Sequence, residues 1–265
     1  MYFDFSSLVA LQNGQLVLLQ SEVGVHQGDP LGPALFAMAI YPTLVNLQNT
    51  FSNIQILAYL DDVFLVGLPS NVTEAFTSLQ CNFSAIGLDI ACQKCEIYCP
   101  SPAITIPDCQ LPVTSEGIVI LGMPLGNAKF VSNFCSTYAN TGEQLCDQLS
   151  SLNDVQSASL LLKYCHVPQL NYLARVVPPN LLTSAAEIHD LQTRKVFSEL
   201  LSYHQLSDLA WQQATLPVRL GGFGLTSVKS IAACAFLASW VEAIDALPKR
   251  FPNLRVDLDL LLKGS

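Results

Sequence analysis

The sequence predicts an α+β fold, a small antiparallel sheet backed by helices and followed by an all-helical region. Three observations carry that expectation. Ile54, Ile56, Leu57 and Tyr59, then Val63, Phe64, Leu65 and Val66, make two short runs rich in β-branched and aromatic residues, so they read as strands. Asp29-Pro30 is a well-formed helix start, with Asp able to cap free amides and Pro suited to the first helical position. From about Phe130 the apolar spacing becomes helical and strand signals become few.

The two strand runs are separated by adjacent carboxylates, Asp61 and Asp62. Only a tight turn puts both there without burying charge, so the stretch Ile54–Leu68 is a predicted hairpin with the pair at its tip. Two anionic groups held side by side repel each other unless a cation lies between them. Mg²⁺ is held in this way, by one or two carboxylates completed by substrate phosphates. Asp is also a common turn residue, so the pair alone is compatible with a plain turn.

Upstream lies Val25-His26-Gln27-Gly28-Asp29-Pro30-Leu31-Gly32-Pro33, followed by Ala34-Leu35-Phe36. Together with Tyr59-Leu60-Asp61-Asp62 it resembles the palm of reverse transcriptases, specifically those of non-LTR (LINE-like) retrotransposons. Gly87-Leu88-Asp89-Ile90 with Lys94-Cys95-Glu96 is similar to the segment after the hairpin in that family. Ile120-Leu121-Gly122-Met123-Pro124-Leu125-Gly126 resembles the family's primer-grip turn. Four motifs stand in the family's order, and the resemblance covers Gly24 to Gly126 firmly.

The resemblance implies a reverse-transcriptase-like palm over residues 1–128 and a helical, thumb-like region over 129–265. It implies an RNA-directed DNA polymerase, a nucleotidyltransferase that uses two Mg²⁺ ions, an RNA template and a DNA primer. Asp61 becomes the direct metal ligand and Asp62 the supporting one. Gln27 and Gly28 inherit contacts to template and incoming nucleotide, Tyr59 packs beside the primer end, and Leu60 floors the site. Lys94 falls near the leaving pyrophosphate, where an ammonium can stabilise charge or donate a proton. Leu121 and Gly122 grip the primer. The family holds its metals with three carboxylates, and Phe3-Asp4-Phe5 lies too close to Gln27 to supply the first of them. The expectation is therefore a palm and thumb-like fragment without fingers or the first catalytic Asp, inactive by itself. Its rival is a retroelement remnant that binds RNA or protein without catalysis.

Composition sharpens the expectation. Apolar residues make up 51% of the 265 residues and charged ones 12%, far below the roughly 25% of ordinary domains. The net charge is −9, and no Lys or Arg precedes Lys94, whereas Asp4, Glu22, Asp29, Asp61, Asp62, Glu74 and Asp89 do. Nucleic-acid binding draws on basic side chains at phosphates, so weak binding is expected. No stretch reaches the roughly 18 unbroken apolar residues of a membrane span. Leu31 to Leu47 comes closest, and Pro33 and Pro42 interrupt it. Nine cysteines without a secretory leader point to reduced thiols in an intracellular chain. Cys92, Cys95 and Cys99 include a Cys-x₂-Cys metal spacing, but no second pair follows and Cys109 stands alone.

The remaining elements follow in order. Residues up to Val23 read as a strand-like lead-in with a turn at Asn13-Gly14. A helix is expected from Pro30 towards Leu47, and an amphipathic one over Thr73–Ile86 with Phe76, Leu79 and Phe83 on its apolar face. A strand is expected over Gly117–Leu121. Helices are expected over Tyr138–Leu152, Asp154–Cys165, Pro168–Val176, Leu181–Tyr203, Asp208–Ala214 and Val228–Ala246. The tract Leu216 to Leu225, with Gly221-Gly222-Phe223-Gly224, lacks the preceding strand of a nucleotide loop. His166, His189 and His204 are scattered and read as surface or core residues.

Overall fold

The computed structural model describes residues 6–21, 24, 28–101, 106, 110–203 and 205–250. The chain divides into two compact units, one formed by Met1–Ile97 with Pro102–Pro112, the other by Tyr98–Ser101 with Val113–Ser265.

The first unit opens with the hairpin β1 (Ser6–Gln12) and β2 (Gln15–Ser21), whose register closes at Gln12↔Gln15. Its turn residues Asn13 and Gly14 both take positive φ, 52° and 79°, the backbone that a two-residue connection requires and that Asn and Gly tolerate. Helix α1 (Gly32–Thr50) follows. It starts two residues later than Asp29-Pro30 suggested. The Asp29 carboxylate accepts from the Leu31 amide at 2.9 Å, and Gly32 N–H donates to the Asp29 carbonyl. Asp29 thus closes a single turn ahead of the helix, and Pro33 takes the first-turn position. Strands β3 (Gln55–Tyr59) and β4 (Asp62–Val66) form the second hairpin. Helix α2 (Pro69–Ala85) begins four residues before the expected Thr73, because Pro69 fits its first turn.

The core of this unit lies between the helices and one face of the second hairpin. Ile40 and Leu47 of α1 meet Leu79 and Phe83 of α2, with Ile56, Val63 and Leu65 packed against them. Burying each large aliphatic side chain contributes about 1.5–3 kcal/mol. After a short 3₁₀ turn at Cys92–Lys94, β5 (Ile97–Tyr98) and β6 (Val113–Thr114) lead into the second unit. Cys92 Sγ accepts from Gln80 Nε2 at 3.1 Å. No group of three metal-ligating residues forms among the described residues, and Cys109 lies outside them.

The second unit starts with a third hairpin, β7 (Gly117–Ile120) and β8 (Met123–Gly126). Seven helices follow among the described residues: α3 (Ala128–Asn140), α4 (Gly142–Ser151), α5 (Val155–Leu161), α6 (Asn171–Val176), α7 (Pro179–Leu200), α8 (Asp208–Thr215) and α9 (Val228–Arg250). The expected Tyr138–Leu152 helix is two helices, broken at Thr141. A Cβ on Gly142 would come within 3.0 Å of the His166 ring, so the junction needs a glycine. The expected Asp154–Cys165 helix ends at Leu161 and continues as a π-turn over Leu162–His166, then a 3₁₀ turn over Val167–Leu170.

Two clusters fill this unit. One joins Val131 and Cys135 of α3, Leu173 and Ala174 of α6, Leu182 and Ala186 of α7, and Val228 and Ala232 of α9. The other joins Cys146 and Leu149 of α4, Val196 and Phe197 of α7, Ala214 of α8, and Leu225. The glycine tract is a fold-back over the end of α8, with Phe223 N–H on the Ala214 carbonyl and Gly224 N–H on that of Leu216. A Cβ on Gly222 would fall 2.0 Å from the Leu216 carbonyl oxygen, so only glycine fits. The tract packs rather than cradles, since Phe223 meets Phe197 edge to face at 4.9 Å.

His166 and His189 are both completely buried, with rings stacked at 4.4 Å and 5°; His204 lies outside the described residues. Helix α9 is long and apolar enough to cross a membrane by length and composition, with a mean hydropathy of 1.5 over Val228–Lys249. Its Val228, Ala232 and Phe236 are buried at four-residue spacing. The core helix of a soluble protein meets the same criterion.

Candidate active site

The β3–β4 hairpin is built so that its tip carries charge and its base carries packing. Pairing runs from Gln55↔Val66 to Tyr59↔Asp62, which leaves Leu60 and Asp61 as a two-residue connection. Partners across an antiparallel pair share a face. Ile56/Leu65 and Ala58/Val63 therefore form the side towards the helices, and Leu57/Phe64 and Tyr59/Asp62 form the open side. Tyr59 is 61% exposed there. At the base, the Gln48 side chain of α1 donates to the Ile54 carbonyl at 2.8 Å and accepts from the Ile56 amide at 3.0 Å. This clamp ties the hairpin to the helix that follows the Gly28–Asp29 turn. Gln48 gave no signal in the sequence, because a polar residue inside a helical run reads as a solvated one.

The tip itself is strained. Leu60 takes φ of 53°, a left-handed conformation that costs an L-residue roughly 1–2 kcal/mol. The ladder on both sides holds it. Asp61 and Asp62 are both exposed, and among the described residues neither carboxylate makes a hydrogen bond or ion pair. The pair is thus open to solvent at the tip of a hairpin tied to α1, where both carboxylates are available to a ligand from outside. Its donors are hard oxygens, the type that Mg²⁺ takes, and two carboxylates with substrate phosphates and water satisfy its octahedral shell. The residues present fit such an ion in part. Among the described residues no third His, Cys, Asp or Glu joins them.

The other expected site residues fall as follows. Gly28 has φ of 91°, which glycine adopts freely. Gln27 and Phe3-Asp4-Phe5 lie outside the described residues. Lys94 ends the 3₁₀ turn and is exposed, and no hydrogen bond or ion pair joins it to the hairpin among the described residues. Within the first unit the structure brings Tyr59, Leu60, Asp61 and Asp62 together on one tip.

Leu121 and Gly122 belong to the second unit. They form the two-residue turn of the β7–β8 hairpin, with φ of 49° and 80° and the closing pair Ile120↔Met123. Leu121 is 45% exposed, and its carbonyl accepts a hydrogen bond at 2.9 Å from the Tyr172 hydroxyl of α6. Tyr172 is a second residue that the sequence did not single out. It stands 51 positions away, and no local pattern links it to the turn.

Comparison with known proteins bears on the same stretch. Residues 3–125, just under half of the chain, match the family described as reverse transcriptase (RNA-dependent DNA polymerase). A retrotransposable element SLACS 132 kDa protein of Trypanosoma brucei gambiense is 36% identical over 87 residues. That alignment covers 32% of this chain and 7% of the relative, so the chain spans a small part of the relative's length.

Proposed function

We propose that this chain carries the palm of a reverse transcriptase of non-LTR retrotransposon origin, followed by a helical thumb-like region. One observation carries the reading: two unpartnered carboxylates, Asp61 and Asp62, at the tip of a two-residue hairpin inside the segment matched to that family. The reaction is RNA-templated addition of a deoxynucleotide to a DNA primer. The primer 3′-oxygen bonds to the α-phosphorus, the bond from that phosphorus to the bridging oxygen breaks, and pyrophosphate leaves.

Asp61 would hold Mg²⁺ directly and Asp62 would support it from the open face, beside Tyr59. The chemistry that Mg²⁺ supplies when bound at such a site is acidification of the attacking hydroxyl and neutralisation of phosphate charge. The chain's own groups do the positioning. Tyr59 offers an exposed ring to the primer's last nucleotide, and Leu60 would floor the site at the turn. Gln27 and Gly28 would meet the template and incoming nucleotide ahead of α1. Lys94 would place an ammonium near the departing pyrophosphate. Leu121 and Gly122 would hold the primer strand.

Mn²⁺ titration by NMR, with primer–template and a deoxynucleotide present, tests this. Paramagnetic broadening should centre on the amides from Tyr59 to Val63 and disappear in Asp61→Asn. Equal broadening in the variant would remove Asp61 from the metal site and the reading with it. A second reading, a remnant that binds RNA or protein without catalysis, is favoured by the lack of a third carboxylate among the described residues. Primer extension by the 265-residue polypeptide, abolished in Asp61→Asn, would discard that second reading.

A further inference from the structure

Two tight turns in this protein place a leucine in left-handed backbone, Leu60 at 53° and Leu121 at 49°. Turns of this geometry normally use Asn or Gly at that position. Leucine opposes it, because the Cβ of an L-residue crowds the following carbonyl there. Such a conformation persists where the surroundings over-determine it. For Leu60 no side chain bonds the turn backbone among the described residues.

Leu121 differs. The Tyr172 hydroxyl donates to the Leu121 carbonyl at 2.9 Å. The same ring lies against Gly122, where an added Cβ would meet Tyr172 Cε1 at 3.6 Å. Tyr172 has a fixed base, since the next two residues of α6, Leu173 and Ala174, are 2% and 0% exposed within the helical core. One side chain on an anchored helix therefore bonds the first residue of the turn and stands beside the second.

We propose that Tyr172 is a positioning residue of the primer site: it holds the Leu121–Gly122 turn left-handed and so sets where that turn meets the 3′-terminal nucleotide. The second half rests on the primer-grip reading above; the first half rests on the contacts alone. Tyr172 acts through the turn, and the exposed Leu121 side chain is the part presented to the strand.

The variant Tyr172→Phe keeps the ring and removes the hydroxyl. Amide hydrogen exchange at Ile120 and Met123 should speed up roughly two- to tenfold, the effect of losing one neutral hydrogen bond. Adding Leu121→Gly to Tyr172→Phe should restore slow exchange, because glycine takes positive φ without penalty. Primer–template with 2-aminopurine at the primer 3′ end, at saturating protein and low salt, supplies the second readout. Its fluorescence should differ between the natural chain and Tyr172→Phe, while a probe placed internally should not. Unchanged exchange in Tyr172→Phe overturns the proposal. Faster exchange with an unaltered terminal probe overturns its primer half. A natural chain that affects terminal and internal probes alike sinks the primer-grip reading itself, and exchange then still judges whether Tyr172 holds the turn.

Discussion

His166 occupies a place where an imidazole is stable only when neutral. It has no solvent exposure, its ring lies flat on that of His189 at 4.4 Å, and Cys146 Sγ stands 3.6 Å from Nδ1. Burial, and then the neighbouring His189, pull its pKa down from 6.5 to about 4. Burial also pushes the Cys146 thiol up to about 11, so it does not compensate as a thiolate. The unfolded chain therefore binds a proton at His166 more readily than the folded one does. Stability from this residue is complete above about pH 6.5 and is lost as pH falls towards 4, by on the order of 3 kcal/mol in total. Urea denaturation between pH 7 and 4 should show this fall, and His166→Gln should flatten it. An equal fall in the variant would assign the loss to other groups. The sequence offered the two histidines only as scattered residues. Their contact spans 23 positions and depends on the π-turn at Leu162–His166, which no apolar period announces. The tip Tyr59–Asp62 was legible because its strands announce themselves locally.

At the scale of elements, boundaries were read less well than identities, and each shift has a cap or a junction behind it. Asn127 is the example. Its side chain accepts from the Phe130 amide at 2.8 Å and starts α3 at Ala128. In the sequence it follows the Gly126 turn, and although helical spacing was read from about Phe130, the first helix was expected only from Tyr138, so most of α3 was missed. Asn127→Ala should lower stability by about 1 kcal/mol, seen as a lower urea midpoint with unchanged slope, whereas Asn127→Asp should stay close to the natural chain. A midpoint unmoved by Asn127→Ala would mean that α3 is held by packing alone. The break at Thr141 was hidden for a different reason. Both sides of it keep the same apolar face, with Cys135 and Ala139 before and Cys146 and Leu149 after. Gly142 reveals the break only once His166 is known to lie beside it.

Across the whole molecule, charge was fully legible, and its distribution limits the binding of nucleic acid that the proposed function calls for. There are 12 Lys and Arg against 21 Asp and Glu, and none of the basic residues precedes Lys94. The structure reduces their availability further. Arg175, Arg194, Lys195 and Lys229 pair with Glu242, Asp208, Asp147 and Glu187. Three of these pairs are exposed and individually weak, and the fourth holds a half-buried Arg194 that also donates to the Leu206 carbonyl, yet each must be broken or shared before its cation meets a phosphate. Among the described residues that leaves Lys94, Lys129, Lys163, Arg219 and Lys249 without an acidic partner, spread over both units. Each phosphate neutralised contributes about −0.9 to the slope of log K against log salt. A chain with so few available cations should make two to four such contacts, so its slope for primer–template should lie at about −2 to −4. Binding should accordingly be weak at physiological salt and should strengthen only modestly as salt is lowered. Fluorescence anisotropy with labelled primer–template, titrated from low to moderate salt, measures both quantities. Submicromolar affinity at physiological salt with a slope steeper than about −6 would require more cations than the five that the described surface presents without an acidic partner. The paired cations would then have to exchange their carboxylates for phosphates, or Arg255 and Lys263 join the interface.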